Sequence, residues 1–322
     1  MSRALQLTAG IVVSAVCLWL SMRDVDPFAV WRVLRHANYL GFIGAVATTL
    51  FAFWVRALRW RSLIASPRRL GLGGLFSATM IGFMANNILP LRLGEFVRPW
   101  ALSRREGISK TTLLATVVVE RAVDMISLLA ILGIALLIHP ISQASEAGRM
   151  TRAGAGVLVT ACVGLTLFVV ALERQPRLAH ALIGRLSAPL PETVRDRVAH
   201  LLNHFVEGLG LFRDLPRLLW VMLLSFAMFA VIVMGLQVSL WALAIHLPWH
   251  AALTAAPGYI GTMNMACIAG LALFQVGKAT AVPFSWFYWA SQWAPVTLVG
   301  LYCLQREGLS LRSLGQAREV SA

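Results

Sequence analysis

Asn86-Asn87-Ile88-Leu89-Pro90-Leu91-Arg92-Leu93-Gly94-Glu95-Phe96-Val97-Arg98 closes an apolar segment that begins near residue 70. About 20 apolar residues cross the hydrocarbon core of a bilayer, and the segment 70–90 has that length. It ends in two amides and a proline, with Gly94 four residues beyond Pro90. Proline removes a backbone donor and glycine weakens a helix. A helix entering a bilayer here is broken before it emerges.

Seven further apolar segments surround this one, at about 5–22, 39–55, 111–138, 153–172, 218–247, 251–276 and 279–304. The 322 residues are 58% apolar and only 13% charged, with a mean hydropathy of +0.74. Soluble domains are roughly a quarter charged. A chain this poor in charge cannot cover a water-facing surface, so the composition predicts an all-α polytopic membrane protein. Water is absent from the bilayer core, and helices satisfy the backbone of segments this long. The run 5–22 resembles a signal peptide in hydropathy, but Arg23-Asp24 follows it with no small-residue cleavage site. It reads as a first spanning helix.

Charge decides how the segments sit. The chain holds 26 Arg and two Lys, and its net charge is +14. The arginines lie in short loops beside apolar segments, where they anchor to anionic headgroups, and this argues against nucleic acid as a partner. If all eight segments span with the N-terminus inside, the inner loops hold 11 basic residues and the outer loops 16, against the positive-inside rule. If 70–90 and 251–276 are re-entrant, the count becomes 21 inside and 6 outside, with Arg121 left within a span. The expected fold therefore has about six spanning helices, two opposed re-entrant segments and both termini cytoplasmic.

The second broken segment carries Pro257, Gly258, Gly261 and Asn264, and Pro257…Gly261 repeats the spacing of Pro90…Gly94. Interrupted segments at matching places in two halves point to a transport site near the midplane, within a pseudo-inverted repeat. The whole chain, 1–322, reads as one transmembrane domain. Its loop 173–217 holds an amphipathic pattern from Pro191, with Val194, Val198, Leu201, Phe205 and Leu209 on one face. Such a helix either lies on the inner leaflet or packs under the bundle.

Charged groups inside membrane segments are costly and are read as functional by default. Two clusters stand out: Arg92, Glu95 and Arg98 after the first break, and Glu120, Arg121 and Asp124 within 111–138. Glu120 and Asp124 are four apart and share a helix surface. Three arginines face three acids, giving a formal sum of zero. One reading is a polar floor for a lipid headgroup, since guanidinium forks bind phosphate, with Arg92, Arg98, Arg121 and Asn87 as contacts and Glu95, Glu120 and Asp124 as coupling groups. The other is a structural ion-pair network locking two helices and a loop together. Asn86 and Asn87 either cap the broken helix or bind a headgroup. His139, His246 and His250 lack ligand spacing, and Trp286, Tyr288, Trp289 and Trp293 read as an aromatic belt plus packing. Cys17, Cys162, Cys267 and Cys303 stand singly in apolar segments, without metal or disulfide spacing. No metalloprotease motif, nucleophile elbow or phosphate loop is present, so neither enzyme activity nor a cofactor is expected.

The run from Asn87 to Arg98, followed by Val119-Glu120-Arg121-Ala122-Val123-Asp124, resembles the signature of the lysylphosphatidylglycerol synthase transmembrane family, the flippase-like membrane proteins. Pro257-Gly258-Tyr259-Ile260-Gly261 resembles that family's second broken segment. The resemblance implies a membrane domain that moves lipids between leaflets. In founding members this domain is fused to a soluble aminoacyltransferase. The present chain ends about 18 residues after its last apolar segment, so lysyl transfer is not expected. Many members carry a Glu near Asn264 and a basic residue near Tyr288 or Trp289, both absent here. The expectation is an inner-membrane lipid flippase or lipid-binding transporter. Its lipid would be an anionic phospholipid, polyprenyl phosphate or glycolipid, handled beside enzymes of envelope-lipid or glycan biosynthesis. The alternative is a non-transporting accessory that docks a glycosyltransferase or lipid-modifying enzyme. A third reading, an intramembrane enzyme, would need an acid or base at Glu95 or Asp124.

Overall fold

The computed structural model describes residues 26–64, 70–89, 93–138, 214–248, 263–272 and 274–310, with four positions between 156 and 164. Among these residues every regular element is a helix, eight in all. They are α1 (Pro27–Arg35), α2 (Tyr39–Leu63), α3 (Leu72–Ile88), α4 (Gly94–Glu106), α5 (Lys110–Ile138), α6 (Leu215–Ala242), α7 (Met263–Ala272) and α8 (Lys278–Arg306). The all-α expectation holds. The segment 5–22, the amphipathic pattern in 173–213, and Pro90, Arg92, Pro257, Gly258 and Gly261 lie outside the described residues.

Local signals start and stop the helices. Asp26 and Asn38 accept from the backbone N–H two residues on, and Asp214 accepts from Arg217 N, so α1, α2 and α6 each begin on a side-chain cap. Proline follows the cap at the start of α1 and α6. Gly107, at φ +71°, ends α4 in the left-handed conformation that suits glycine.

α2 and α6 are long and apolar enough to cross a membrane. They run antiparallel along their full lengths. Asn38 N donates to Ala242 O at one end, and Arg217 Nε donates to Ser62 O at the other. Between these ends Arg59 meets Ser225 and Thr48 meets Gly235. α5 and α8, 29 residues each, have the length of spans as well.

Within the deciding stretch, α3 and α4 form a helical hairpin. α3 runs out to Ile88 and α4 returns beside it. Gly74 lies against Arg105, and Gly82 against Gly94 and Arg98. Asn86 Oδ1 accepts from Gly94 N at 2.8 Å and so closes the break. A Cβ at Gly94 would overlap the carbonyl of Gly82, so glycine is what lets the two backbones meet. Trp60, Leu75, Met80, Met84, Leu102 and Leu113 pack around the hairpin as the main core.

One boundary is corrected. The apolar segment 39–55 continues as helix to Leu63. Arg56 and Arg59, counted above as loop residues, are instead buried inside α2. Arg98 is buried in α4 as well. Removing these three from the inner loops still leaves 18 basic residues against 6, so the charge bias survives.

Candidate functional site

Glu120 sits ten residues into α5 and is fully buried. A carboxylate so placed is costly unless charged partners surround it. Arg98 Nη1 lies 2.7 Å from Oε2; Arg59 Nη2 and Arg56 Nη1 lie 3.0 Å and 3.1 Å from Oε1. Arg121 Nη2 approaches Oε1 at 3.3 Å. Asp124, one turn further, is held by Arg59 Nη1 at 2.5 Å, Arg121 Nη2 at 3.3 Å and Arg56 Nη1 at 3.6 Å. Glu120 and Asp124 do share one helix face, and that face meets α2 and α4.

Arg56 and Arg59 are the residues that sequence reasoning missed. The available signal was their spacing of three, which puts both on one helix face among the apolar residues Phe51–Trp60. With them, four arginines surround Glu120, Asp124 and the more distant Glu95. The formal sum of these described residues is +1 rather than zero.

The four arginines are not equivalent. Arg59 is wholly enclosed, bonded to Glu120, Asp124 and Ser225. Arg56 stacks over Phe83 at 5.0 Å and also lines a cleft between α2, α6 and α8. Arg98 lies 3.8 Å over the ring of Trp60, and Trp60 Nε1 is fixed by Thr116 Oγ1 at 2.9 Å. Only Nη1 of Arg98 is bonded; its buried Nε and Nη2 find no hydrogen-bond partner among the described residues. Arg121 is 38% exposed and reaches toward Glu95 at 4.0 Å. The arrangement is an anion-stabilised arginine cluster in which Arg59 Nε, Arg98 Nε and Nη2, and Arg121 Nε are buried without a hydrogen-bond partner among the described residues.

The remaining candidates divide. Asn87 Nδ2 donates to Thr297 Oγ1 at 3.0 Å, which ties the end of α3 to α8. Asn264, on α7, has a buried Oδ1 without a partner among the described residues. Arg92 and three residues of the second motif (Pro257, Gly258, Gly261) lie outside the described residues. Tyr288 is buried, stacked 6.1 Å from Phe284, while Trp289 stacks on Trp293 at 5.4 Å. Cys267 and Cys303 are buried small hydrophobes, as their apolar settings imply.

An all-helical bundle with long apolar helices and a buried charge cluster defines a polytopic membrane protein with a polar interior site. The chain belongs to the lysylphosphatidylglycerol synthase TM region family, whose model matches residues 7–300. It is also similar to a Haloferax volcanii protein named glycosyltransferase AglD, 24% identical over 234 residues. That match covers 65% of this chain and 36% of the relative, so the chain spans about a third of the relative's length. No solved structure matches.

Proposed function

We propose that this protein translocates, or holds for translocation, an anionic lipid in a cytoplasmic membrane. The single observation that carries this reading is Arg98. Its guanidinium is buried, clamped on one nitrogen by Glu120, flat on Trp60, and open at Nε and Nη2. A buried donor left open is costly, and a lipid phosphate supplies the acceptors it lacks. The excess positive charge of the cluster suits the same ligand. Arg121 is the second phosphate contact. Glu120 and Asp124 hold the arginines in place and cap their affinity, so that the lipid leaves again. Glu95 acts on Arg121 from the more exposed side.

The 70–98 hairpin is the first re-entrant element under this reading, entering from the cytoplasmic side and carrying Arg98 to the cluster. Lys110 and both termini are cytoplasmic. The protein carries out no covalent chemistry; its lipid comes from, and goes to, enzymes of envelope-lipid or glycan assembly. The glycosyltransferase name of the Haloferax relative supports that setting.

The test is reconstitution in liposomes with fluorescent phosphatidylglycerol and polyprenyl-phosphate analogues. The wild-type protein moves at least one of them, and Arg98→Gln at equal incorporation slows it by about 100-fold, the scale of a lost charge-assisted clamp on a buried phosphate. Equal rates remove Arg98 from the site. Failure to move any lipid, with wild-type activity of a partner glycosyltransferase lost on deletion, favours the accessory role instead.

A further inference from the structure

The charge cluster reaches the surface of the bundle between α4 and α5. Val118, Arg121 and Met125 follow one another on α5 at spacings of three and four, so they share one stripe of that helix. Val118 and Met125 are exposed, and Arg121 stands between them, 38% exposed. Glu95 and Phe96, both exposed, face the stripe from α4. Arg121 lies about 16 Å along α5 from Lys110. In a bilayer the stripe therefore meets acyl chains on either side of a single guanidinium. An arginine at such a depth is costly unless an anion answers it.

The two ends of that guanidinium are held unequally. Nη2 lies 3.3 Å from both Glu120 and Asp124 on the inner side. On the outer side Nη1 approaches Glu95 at 4.0 Å, too long for a hydrogen bond. A guanidinium binds a carboxylate or a phosphate oxygen in the same way, so the loosely held Glu95 is open to exchange for another anion. Glu120 connects this exposed end with the buried one. Its Oε1 faces Arg121 and its Oε2 faces Arg98. The two arginines thus flank one carboxylate, and an anion on the first is a short step from the second.

We infer that this face is the lateral portal of the site. An anionic lipid enters from the inner leaflet between α4 and α5; its phosphate displaces Glu95 from Arg121 and passes on to Arg98. Its chains remain outside, against the apolar rim of Phe96, Val118 and Met125. A soluble phosphate has no use for that rim, so the occupant is a lipid. With Glu95 displaced, Arg56, Arg59, Arg98 and Arg121 face Glu120 and Asp124 alone, and this positive surplus favours an anion over a zwitterion. The inference rests on the lipid-handling reading above. It adds the route of entry, and it makes Glu95 the group that competes with the lipid.

The measurement is ligand titration of the full chain in detergent, with native cysteines replaced. An environment-sensitive fluorophore is carried by Val118→Cys or, as a control, by Leu223→Cys on the exposed side of α6. Short-chain phosphatidylglycerol, a short isoprenyl phosphate, short-chain phosphatidylcholine and glycerol 1-phosphate are each added. Thermal stabilisation reports binding anywhere on the protein, and emission reports binding at the portal. At least one anionic lipid is expected to stabilise the protein and to shift the Val118 probe over the same concentrations, with the Leu223 probe unchanged. Phosphatidylcholine and glycerol 1-phosphate need at least about 10-fold more. Glu95→Gln, at an exposed position, removes the competing charge and tightens binding of that lipid about threefold. Stabilisation with a silent Val118 probe, or an affinity that Glu95→Gln leaves unchanged or weakens, overturns the portal and leaves the phosphate site at Arg98 standing. Glycerol 1-phosphate binding as tightly as the lipid overturns the lipid as occupant, and equal binding of phosphatidylcholine overturns the selection by charge. No binding of either anionic lipid overturns the lipid-handling reading as well.

Discussion

At the residue scale, the number of bonded partners separates Arg59 from Arg98, since both are buried. Arg59 has Glu120, Asp124 and Ser225 around it and no exposed edge. Removing one partner of a buried ion pair costs about 3–5 kcal/mol, because the other charge is left behind. Arg59→Met is thus expected to lower stability by that amount, and Glu120→Gln, which strands the buried Arg98 and weakens the pairing of Arg56 and Arg59, by at least as much; chemical denaturation in detergent micelles measures both. Arg98 gives up one ion pair and a stacking contact, and its replacement by lysine keeps the charge but loses the planar fork and the face on Trp60. Arg98→Lys is accordingly expected to fold and to transport poorly, at a rate close to that of Arg98→Gln. A transport rate near wild type would show that a point charge suffices there. The pairing of Glu120 with Asp124 was legible in their spacing. Which arginines answer them was not, because α2 meets α5 across more than sixty residues of chain.

At the element scale, the α3–α4 hairpin depends on how closely two backbones approach. Gly82 and Gly94 touch, and Asn86 supplies the hydrogen bond that closes the turn. Gly94→Leu is expected to separate the helices, shift Arg98 away from Glu120 and speed proteolysis between residues 88 and 94. Asn86→Ala removes one side-chain bond to a backbone N–H and costs about 1 kcal/mol, read as a small fall in melting temperature with the hairpin intact. The break itself was visible in Pro90 and Gly94. That the chain returns alongside itself was visible only as a charge count, and the glycine contact that makes it possible joins positions twelve residues apart.

At the scale of the whole molecule, α2 and α6 form an antiparallel pair from Asn38–Ala242 to Ser62–Arg217. Gly235 and Thr48 face each other with an ideal Cβ of Gly235 3.4 Å from Thr48 Cβ, close to disulfide range. A Thr48→Cys/Gly235→Cys variant, with native cysteines replaced, is expected to cross-link on mild oxidation and shift mobility after cleavage between the two helices. Absence of the cross-link would sink the pairing. The proposed orientation has its own test: Lys110→Cys reacts with an impermeant maleimide only when the cytoplasmic face is open, and labelling of intact cells would invert the topology.

Composition and pattern alone determined the solvent, the helical class, the two clusters of charge and the break after Ile88. These are properties of single segments: apolar length, a proline, and charges a few residues apart on one helix. Only the tertiary structure could show that Arg56 and Arg59 belong to the site, that Asn87 is tied to α8, and that a polar-lined cleft continues from Arg56 toward the middle of α2. Each of these depends on contact between helices distant in sequence. A local pattern records which face of a helix is polar, but not which face of another helix it will meet.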